Sequence, residues 1–317
     1  MNVSVSVITP SFNQAAYLEQ TIQSVLGQDL PIEYWVMDGG SQDGSVEIIR
    51  RYANRLAGWV SEPDAGQADA VNKGLLRASG DVIGWLNSDD LYQPGAARRA
   101  LQAFEQNTDA ALVFGDVWSL DGAGKVINQM RYGAWGLQEL MTFHIVGQPG
   151  VWIRRSALLA MAKPAQGEFL DLSYHYLLDH QLWLRLAQMG SMLYLGQPMA
   201  AARFHPAAKN VAHAAAFGQE AYRIVDWMQL QPGLQALFAA NRRAIWGGAH
   251  RINARYLLDG GQPGAALRAY GRGLRCYAPA VLPELHRMVF CLLSLAGLGR
   301  LENVYRRLKR RRYEKGR

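Results

Sequence analysis

Apolar and polar positions follow two rhythms along the first 120 residues. "VSVSVITP" (3–10), "IEYWVMD" (32–38), "GWVSEPD" (58–64) and "DVIGWLN" (81–87) are short apolar runs rich in β-branched and aromatic residues, the signature of strands. Between the first pair, Leu18, Ile22, Val25 and Leu26 recur at helical spacing, and Ala68, Val71, Leu75 and Ala78 do the same between the last pair. Strands separated by helices predict right-handed crossovers and a mainly parallel sheet with helices on both faces, an α/β architecture. Ligands of such sheets bind beyond the C-terminal ends of the strands. Polar residues gather at those ends here: Pro10 to Asn13, Asp38 to Ser45, Asp64, and Asn87 to Asp90.

The pattern then changes. Residues 110–205 are mixed, with "AALVFGDVWSL" and "QPGVWIRR" reading as strands and "LLDHQLWLRLAQMG" as a helix ending at Gly190. Beyond about residue 213 strand signals stop, and "ARYLLDGGQPGAALRAYGRGLRCY" reads as helix, Gly/Pro turn and helix. The expected division is 1–212 for an α/β domain and 213–317 for a helical C-terminal region. "MVFCLLSLAGLG" (288–299) is an apolar run of twelve. Since roughly 20 residues are needed to span a bilayer, it reads as a buried or interfacial helix.

Composition adds little until charge is located. At 50% hydrophobic and 19% charged, the 317 residues support a substantial core. The net charge of +7 is carried entirely by residues 300–317, which hold nine Lys/Arg and two Glu. Nucleic acid or an anionic membrane surface would each attract such a segment, while a solvated chain end is the plain alternative. The first residues lack a basic stretch followed by a long apolar run, and the two cysteines, Cys276 and Cys291, suggest neither a zinc site nor a disulfide framework. Both features point to a cytoplasmic protein.

Three stretches carry candidate chemistry. In "MDGGSQDGS" (37–45) an aspartate closes a strand and glycines permit close backbone approach to a ligand. The dinucleotide and phosphate-loop fingerprints are absent from it. In "SEPDAGQADAVNKG" (61–74), Asp69, Asn72 and Lys73 share the helix face opposite Ala68, Val71 and Leu75. Asp69 and Lys73 read either as a surface pair worth about 0.3 kcal/mol or as part of a polar face turned to a ligand. In "GWLNSDDLYQPG" (84–95), Asp89 and Asp90 sit side by side beyond a strand. Adjacent carboxylates repel unless water, donors or a cation offset the cost, and Mg2+ or Mn2+ bridging a nucleotide diphosphate needs only one or two such ligands.

These stretches, with "ITPSFNQAAYLEQTIQSVLGQ" (8–28), occur in the order and spacing of inverting family 2 glycosyltransferases, and the resemblance covers roughly residues 3–210. It implies the GT-A fold, a Rossmann-like nucleotide-binding sheet. It implies that Asp38 meets the nucleotide base, although Gly39 stands where the family often has a second aspartate. Asn87-Ser88-Asp89 resembles the D-x-D motif with Asn in first place, so that Asp89 binds a Mn2+ or Mg2+ ion and Asn87 faces the ribose. Pro10, Ser11, Asn13, Asp69, Lys73 and Ser88 complete the implied donor site. "LLDHQLWLRLA" resembles the helix presenting the acceptor-activating base, placing Asp179 in that role, and "ARFHPAAKN" makes His205 a further metal ligand. "IVGQPGVWIRRS" lies where the acceptor or diphosphate is approached, without a role for Gln148 or Trp152.

The expected activity is metal-dependent, inverting transfer of a sugar from a nucleotide-sugar, with UDP as carrier. The acceptor is a hydroxyl of a glycan or lipid-linked saccharide in cell-surface polysaccharide synthesis. Expected partners are that donor, that acceptor and an anionic membrane surface met through the basic segment, not nucleic acid; the expected place is the cytoplasm, peripheral at the inner face of the membrane. The alternatives are a catalytically inactive GT-A-like binding or scaffold protein and, less favoured, a nucleotidyltransferase.

Overall fold

A computed structural model describes residues 4–161, 168–205 and 213–299. The basic segment 300–317 and most of the "HPAAKN" stretch lie outside the described residues. The chain forms two compact units, one made of 1–120, 129–136 and 146–203, the other of 121–128, 137–145 and 204–317.

The first unit is built on β1 (Val5–Ser11), β2 (Ile32–Asp38), β3 (Gly58–Ser61), β4 (Val82–Trp85), β5 (Leu91–Tyr92), β6 (Ala110–Asp121), β8 (Val151–Arg154) and β9 (Ser191–Phe204). The sheet order is β3-β2-β1-β4-β8-β6-β9-β5, with β7 (Val126–Met130) paired to β6. The parallel order expected from the first 120 residues holds from β3 to β4. From β4 onward the described ladders β4–β8, β6–β8 and β5–β9 are antiparallel, so the sheet is mixed.

Helices α1 (Ala15–Leu26), α2 (Ser45–Tyr52), α3 (Gln67–Arg77) and α4 (Ala96–Gln106) connect the early strands. On α1, Leu18, Ile22 and Val25 are buried, as their spacing predicts. On α3, Ala68, Val71 and Leu75 face the core, and Gly74 lets the helix close onto the sheet. A Cβ on Gly74 would lie 2.4 Å from Ile8 Cγ2 and 3.2 Å from Met37 Cγ. Asn72 departs from the expected ligand-facing surface. It is buried, donating from Nδ2 to Leu170 O (2.9 Å) and accepting at Oδ1 from Leu170 N–H (2.8 Å), so it docks a distant segment like a piece of backbone.

The helix expected at 177–190 is α7 (Leu178–Leu186), preceded in the chain by α5 (Leu137–Met141) and α6 (Arg155–Met161). It stops four residues short of Gly190, whose Cβ position lies 2.3 Å from Asp109 O, so close backbone approach rather than a helix end requires that glycine.

The second unit holds α8 (Ala214–Leu230), α9 (Gln235–Asp259), α10 (Pro263–Val281) and α11 (Leu285–Leu295). Ala254, Leu258, Ala266, Ala269, Tyr270, Val281 and Cys291 form a core cluster. The chain breaks helical geometry at Tyr277 (φ −158°, ψ 93°), two residues before Pro279, which has no N–H for the helix ladder and whose ring crowds the preceding turn. Beside this core Glu284 is buried. Its Oε1 lies against Arg255 and 3.6 Å from Arg251, and its Oε2 accepts from Tyr270 (2.8 Å). Burial pushes the Glu284 carboxyl up, but Arg255 and Arg251 together hold it below the ordinary glutamate value of 4.5.

Two stability predictions follow from these contacts. Gly74→Ala should destabilise the protein by about 1–3 kcal/mol through overpacking, outweighing the helix-propensity gain of about 1 kcal/mol; urea unfolding reads the sign. A carboxylate with a depressed folded-state pKa stabilises above its unfolded pKa and loses that contribution as pH falls through the folded value. Thermal stability of the wild type should therefore fall below about pH 4.5, and Glu284→Gln should flatten that part of the profile. Because the substitution leaves Arg251 and the part-exposed Arg255 with less compensation, it should also cost about 1–3 kcal/mol at neutral pH.

Candidate functional site

The C-terminal ends of β1, β2 and β3 are in register, Ser11 beside Asp38 and Asp38 beside Ser61. At this edge the loop 38–45 is zipped to the start of α1. Asn13 N–H donates to Ser41 Oγ (2.8 Å), Gln42 N–H to Asn13 Oδ1 (2.9 Å), Gln14 N–H to Ser45 Oγ (3.1 Å) and Ala15 N–H to Asp43 Oδ2 (2.9 Å). These bonds satisfy the helix's first amide groups, which Gln14 does not cap itself. In this chain "SFNQ" and "DGGSQDGS" each supply the other's missing partners.

Asp38 is the organiser of that loop. Its Oδ2 accepts from Gly40 N–H (3.1 Å), Ser41 N–H (2.9 Å) and the Ser61 hydroxyl (2.8 Å), while Oδ1 accepts from the Ser41 hydroxyl (2.6 Å). It is 3% exposed. Gly39 also has a local reason, since its Cβ position lies 2.7 Å from Asp64 Oδ2. Asp64 is half-buried, accepts from Gly66 N–H (2.8 Å), and thus packs where a side chain at 39 would stand. Pro10 and Ser11 are buried in β1, with the Ser11 hydroxyl lacking a hydrogen-bond partner.

On α3, Asp69 accepts from Ala65 N–H (3.0 Å) and pairs with Lys73 (3.2 Å), which also reaches Glu62 (3.2 Å). The Ala65 bond outweighs burial in holding the Asp69 carboxyl low, and Lys73 lowers it further. Against the effect of its own burial, Lys73 is raised by these two carboxylates. The pair anchors the loop between β3 and α3 as well as lining the edge.

Beyond β4 the chain turns, Asp90 N–H donating to Asn87 O (3.1 Å). Asn87 Oδ1 accepts from Gln67 Nε2 (2.7 Å) and Trp85 Nε1 (3.0 Å), and its side chain also hydrogen-bonds Asp90. A second carboxylate at 87 would lose that donation and add charge beside Asp89 and Asp90, which accounts for the amide in first place. Ser88 is buried and Asp89 half-buried. Asp90 is buried, and burial together with the Asp89 charge raises its carboxyl well above the ordinary value, against Arg203 and Asn87. The two aspartates are unlike: Asp90 Oδ1 accepts Arg203 N–H (2.9 Å) and its carbonyl accepts the Thr21 hydroxyl (2.8 Å), whereas Asp89 is the more accessible.

Arg203 is the residue that sequence reasoning passed over. Buried on β9, it donates from Nε to Asp89 O (3.1 Å) and from Nη2 to Gln20 Oε1 (2.8 Å), with its guanidinium 4.8 Å above the Tyr17 ring. The one signal was a lone arginine closing the apolar run "PMAAARF".

Asp179 stands in the first turn of α7, half-buried, where a carboxylate complements the helix dipole; its Oδ1 accepts His180 N–H (2.7 Å). One helical turn on, Trp183 packs against Trp85 (centroids 6.4 Å apart), two residues before Asn87. The face carrying Asp179 is thereby drawn to the end of β4. Gln148 docks there too, donating from Nε2 to Trp85 O (2.5 Å) with Oε1 buried and unpartnered. Nearby, Tyr132 accepts Gly147 N–H (2.9 Å), and its hydroxyl is raised by burial and by the charges of Asp116 and Asp179.

His205 is buried and belongs to the second unit. Among the described residues no group of three or more His, Cys, Asp or Glu side chains is placed to hold a metal ion. The accessible carboxylate of Asp89 nonetheless fits a hard cation that takes most of its ligands from phosphate and water.

The family model described as Glycosyl transferase family 2 matches residues 6–158. An uncharacterized glycosyltransferase of Nostoc sp. is 30% identical over 154 residues, 47% of this chain and 48% of that protein. The putative teichuronic acid biosynthesis glycosyltransferase TuaG of Bacillus subtilis is 38% identical over 104 residues, 31% and 40% of the two chains. The matches thus span less than half the length of these curated relatives. Among solved structures, S. aureus TarS 1–349 in complex with UDP-GlcNAc superposes with a TM-score of 0.59 at 16% identity, covering 99% of this chain and 92% of the 1–349 chain. The Pyrobaculum calidifontis mannosyltransferase PcManGT in complex with GDP-Man and Mn2+ gives 0.58 at 18%, covering 94% and 87%. At these identities the two structures speak for the GT-A-like fold. With the family model resting on the stretch that forms the edge described above, residues 6–158 form a glycosyltransferase family 2 domain.

Proposed function

We propose that the protein transfers a sugar from a nucleotide-sugar to a hydroxyl of a glycan or lipid-linked acceptor during polysaccharide synthesis, with inversion at the anomeric carbon. The observation that carries the reading is the convergence at the end of β4: the Asn87–Asp90 turn, the edge shaped by Asp38, and α7, seated through Trp183 on Trp85. Names of relatives support the polysaccharide assignment, including TuaG and the chondroitin synthase of Escherichia coli, 24% identical over 197 residues. UDP is the preferred carrier because TarS binds UDP and UDP-GlcNAc, although PcManGT takes GDP-Man on the same fold.

The chemistry is an in-line displacement. The acceptor oxygen bonds to the anomeric carbon as the bond to the diphosphate breaks, and the hydroxyl proton passes to Asp179. Pro10, Ser11, Asn13, Ser88 and the loop organised by Asp38 line the donor, Asn87 fixes the turn beneath the ribose, and Asp69 with Lys73 hold the neighbouring loop. Asp89 would hold a divalent cation, which when bound would stabilise the negative charge developing on the leaving diphosphate. Asp179 stands in the first turn of the helix, and His180 N–H donates to its Oδ1 and orients it. The reading places the reaction at the cytoplasmic face of a membrane, with the basic segment 300–317 meeting anionic lipid.

A panel of UDP- and GDP-sugars with Mn2+, read for transfer and for slow donor hydrolysis, tests this directly. Asp179→Asn should cut turnover by about 10²–10⁴-fold while leaving nucleotide binding intact. Asp89→Ala should lose turnover and also the Mn2+-dependent part of nucleotide affinity. Undiminished turnover in either variant overturns that residue's role; nucleotide binding by the wild type without turnover of any donor favours the inactive binding protein.

A further inference from the structure

The apolar run read from sequence as a buried or interfacial helix is exposed along most of its length. Of α11 only Cys291 is fully buried, with Met288 and Phe290 packed partly against the core of the second unit. Leu282, Leu285, Val289, Leu292, Leu295 and Leu298 are each 46–55% exposed. Leu285, Val289 and Leu292 recur at i, i+4 and i+7, so they form one stripe along the helix. From Leu285 to Gly299 the sequence holds no acidic residue. The single Arg287 is turned to Asp259 (2.6 Å), leaving the stripe itself uncharged.

A basic group lies beside the end of α11. On α10 the exposed Arg268, Arg272 and Arg275 line a cavity of about 400 Å³. The end of α11 reaches this helix, since a Cβ on Gly264 would lie 3.7 Å from Leu295 Cδ2 and 3.8 Å from Arg268 Nη1. The +7 segment 300–317 follows in sequence directly after Gly299.

We infer that the leucine stripe of α11 is the element that inserts into an anionic lipid surface, with the arginines of α10 and the basic segment holding the headgroups. The inference deepens the membrane contact proposed above and rests on it for the identity of the lipid. Charge decides between a bilayer and a second copy of the chain. Pairing two copies through this face would bring two +7 segments together, whereas an anionic leaflet complements both the stripe and the basic groups. Geometry decides between lying on the membrane and crossing it. Pro263–Leu295 is a 33-residue stretch long and apolar enough to span by composition. It is broken at Tyr277, however, and passes the buried Glu284 with its two arginines, a charged cluster costly to place in hydrocarbon. The helix α11 alone is roughly 16 Å long, about half of the bilayer core.

The test is co-sedimentation of the full chain with vesicles of phosphatidylcholine, alone or mixed with phosphatidylglycerol, at low and high salt. The wild type should bind the anionic vesicles and retain a bound fraction at high salt, because apolar insertion is not screened. The triple variant Leu285→Gln, Val289→Gln, Leu292→Gln, on an already exposed face, should lower binding about 10-fold or more and lose the salt-resistant fraction. Equal binding by the triple variant, with loss on deleting residues 300–317, overturns the role of α11 and leaves the charge-based contact standing. Failure of the wild type to bind anionic vesicles overturns both. Loss of self-association in the triple variant, with vesicle binding unchanged, overturns the inference in favour of a second copy.

Discussion

The candidate site depends on how one buried carboxylate is held. Asp90 stands beside Asp89 at the end of β4, where burial and a like charge both work against its ionised form. The Arg203 amide, the charge of the Arg203 guanidinium and the Asn87 side chain offset part of that cost, while the carboxyl remains raised well above its ordinary value. The same residue pair joins three parts of the first unit, because Asp90 O takes the Thr21 hydroxyl of α1 and Arg203 reaches Gln20 on that helix. With Asp90 committed to the scaffold, Asp89 is left as the carboxylate of the turn with access to a ligand.

A similar division runs through the rest of the edge. Asp38, Asp43 and Asn72 place their polar atoms on backbone and hydroxyl partners, and Asn87 places its own on the side chains of Gln67, Trp85 and Asp90. Buried polar groups must be paired, and pairing them to main-chain groups turns flexible loops into fixed ones. Much of what marks the family motifs is therefore loop architecture. Asp64, Asp89 and Asp179 keep partial exposure.

The second unit solves a different problem with the same chemistry. Glu284 is ionised within a core because two arginines and a tyrosine converge on it, and this cluster sits at the turn between α10 and α11. The cluster pins one end of α11 while the other face of that helix carries its leucines outward. A buried anchor beside an exposed apolar stripe suits an element that must keep its place and still present a surface.

Local pattern alone was enough for the strand-helix order of the first 120 residues and for the gathering of Asp38 and Asn87–Asp90 at strand ends, because period and turn chemistry are short-range properties. It was also enough for the helical character after residue 213. The antiparallel half of the sheet was not legible, since β9 runs through "SMLYLGQPMAAARF" without alternation and its place is set by partners distant in sequence. Burial of Asn72, commitment of Asp90 and the part played by Arg203 were likewise decided by contacts between residues about 100 or more positions apart. The exposure of α11 was hidden for the complementary reason. An apolar run of twelve residues states what would gain from leaving water, and only the packed structure shows which of those side chains found something to cover them.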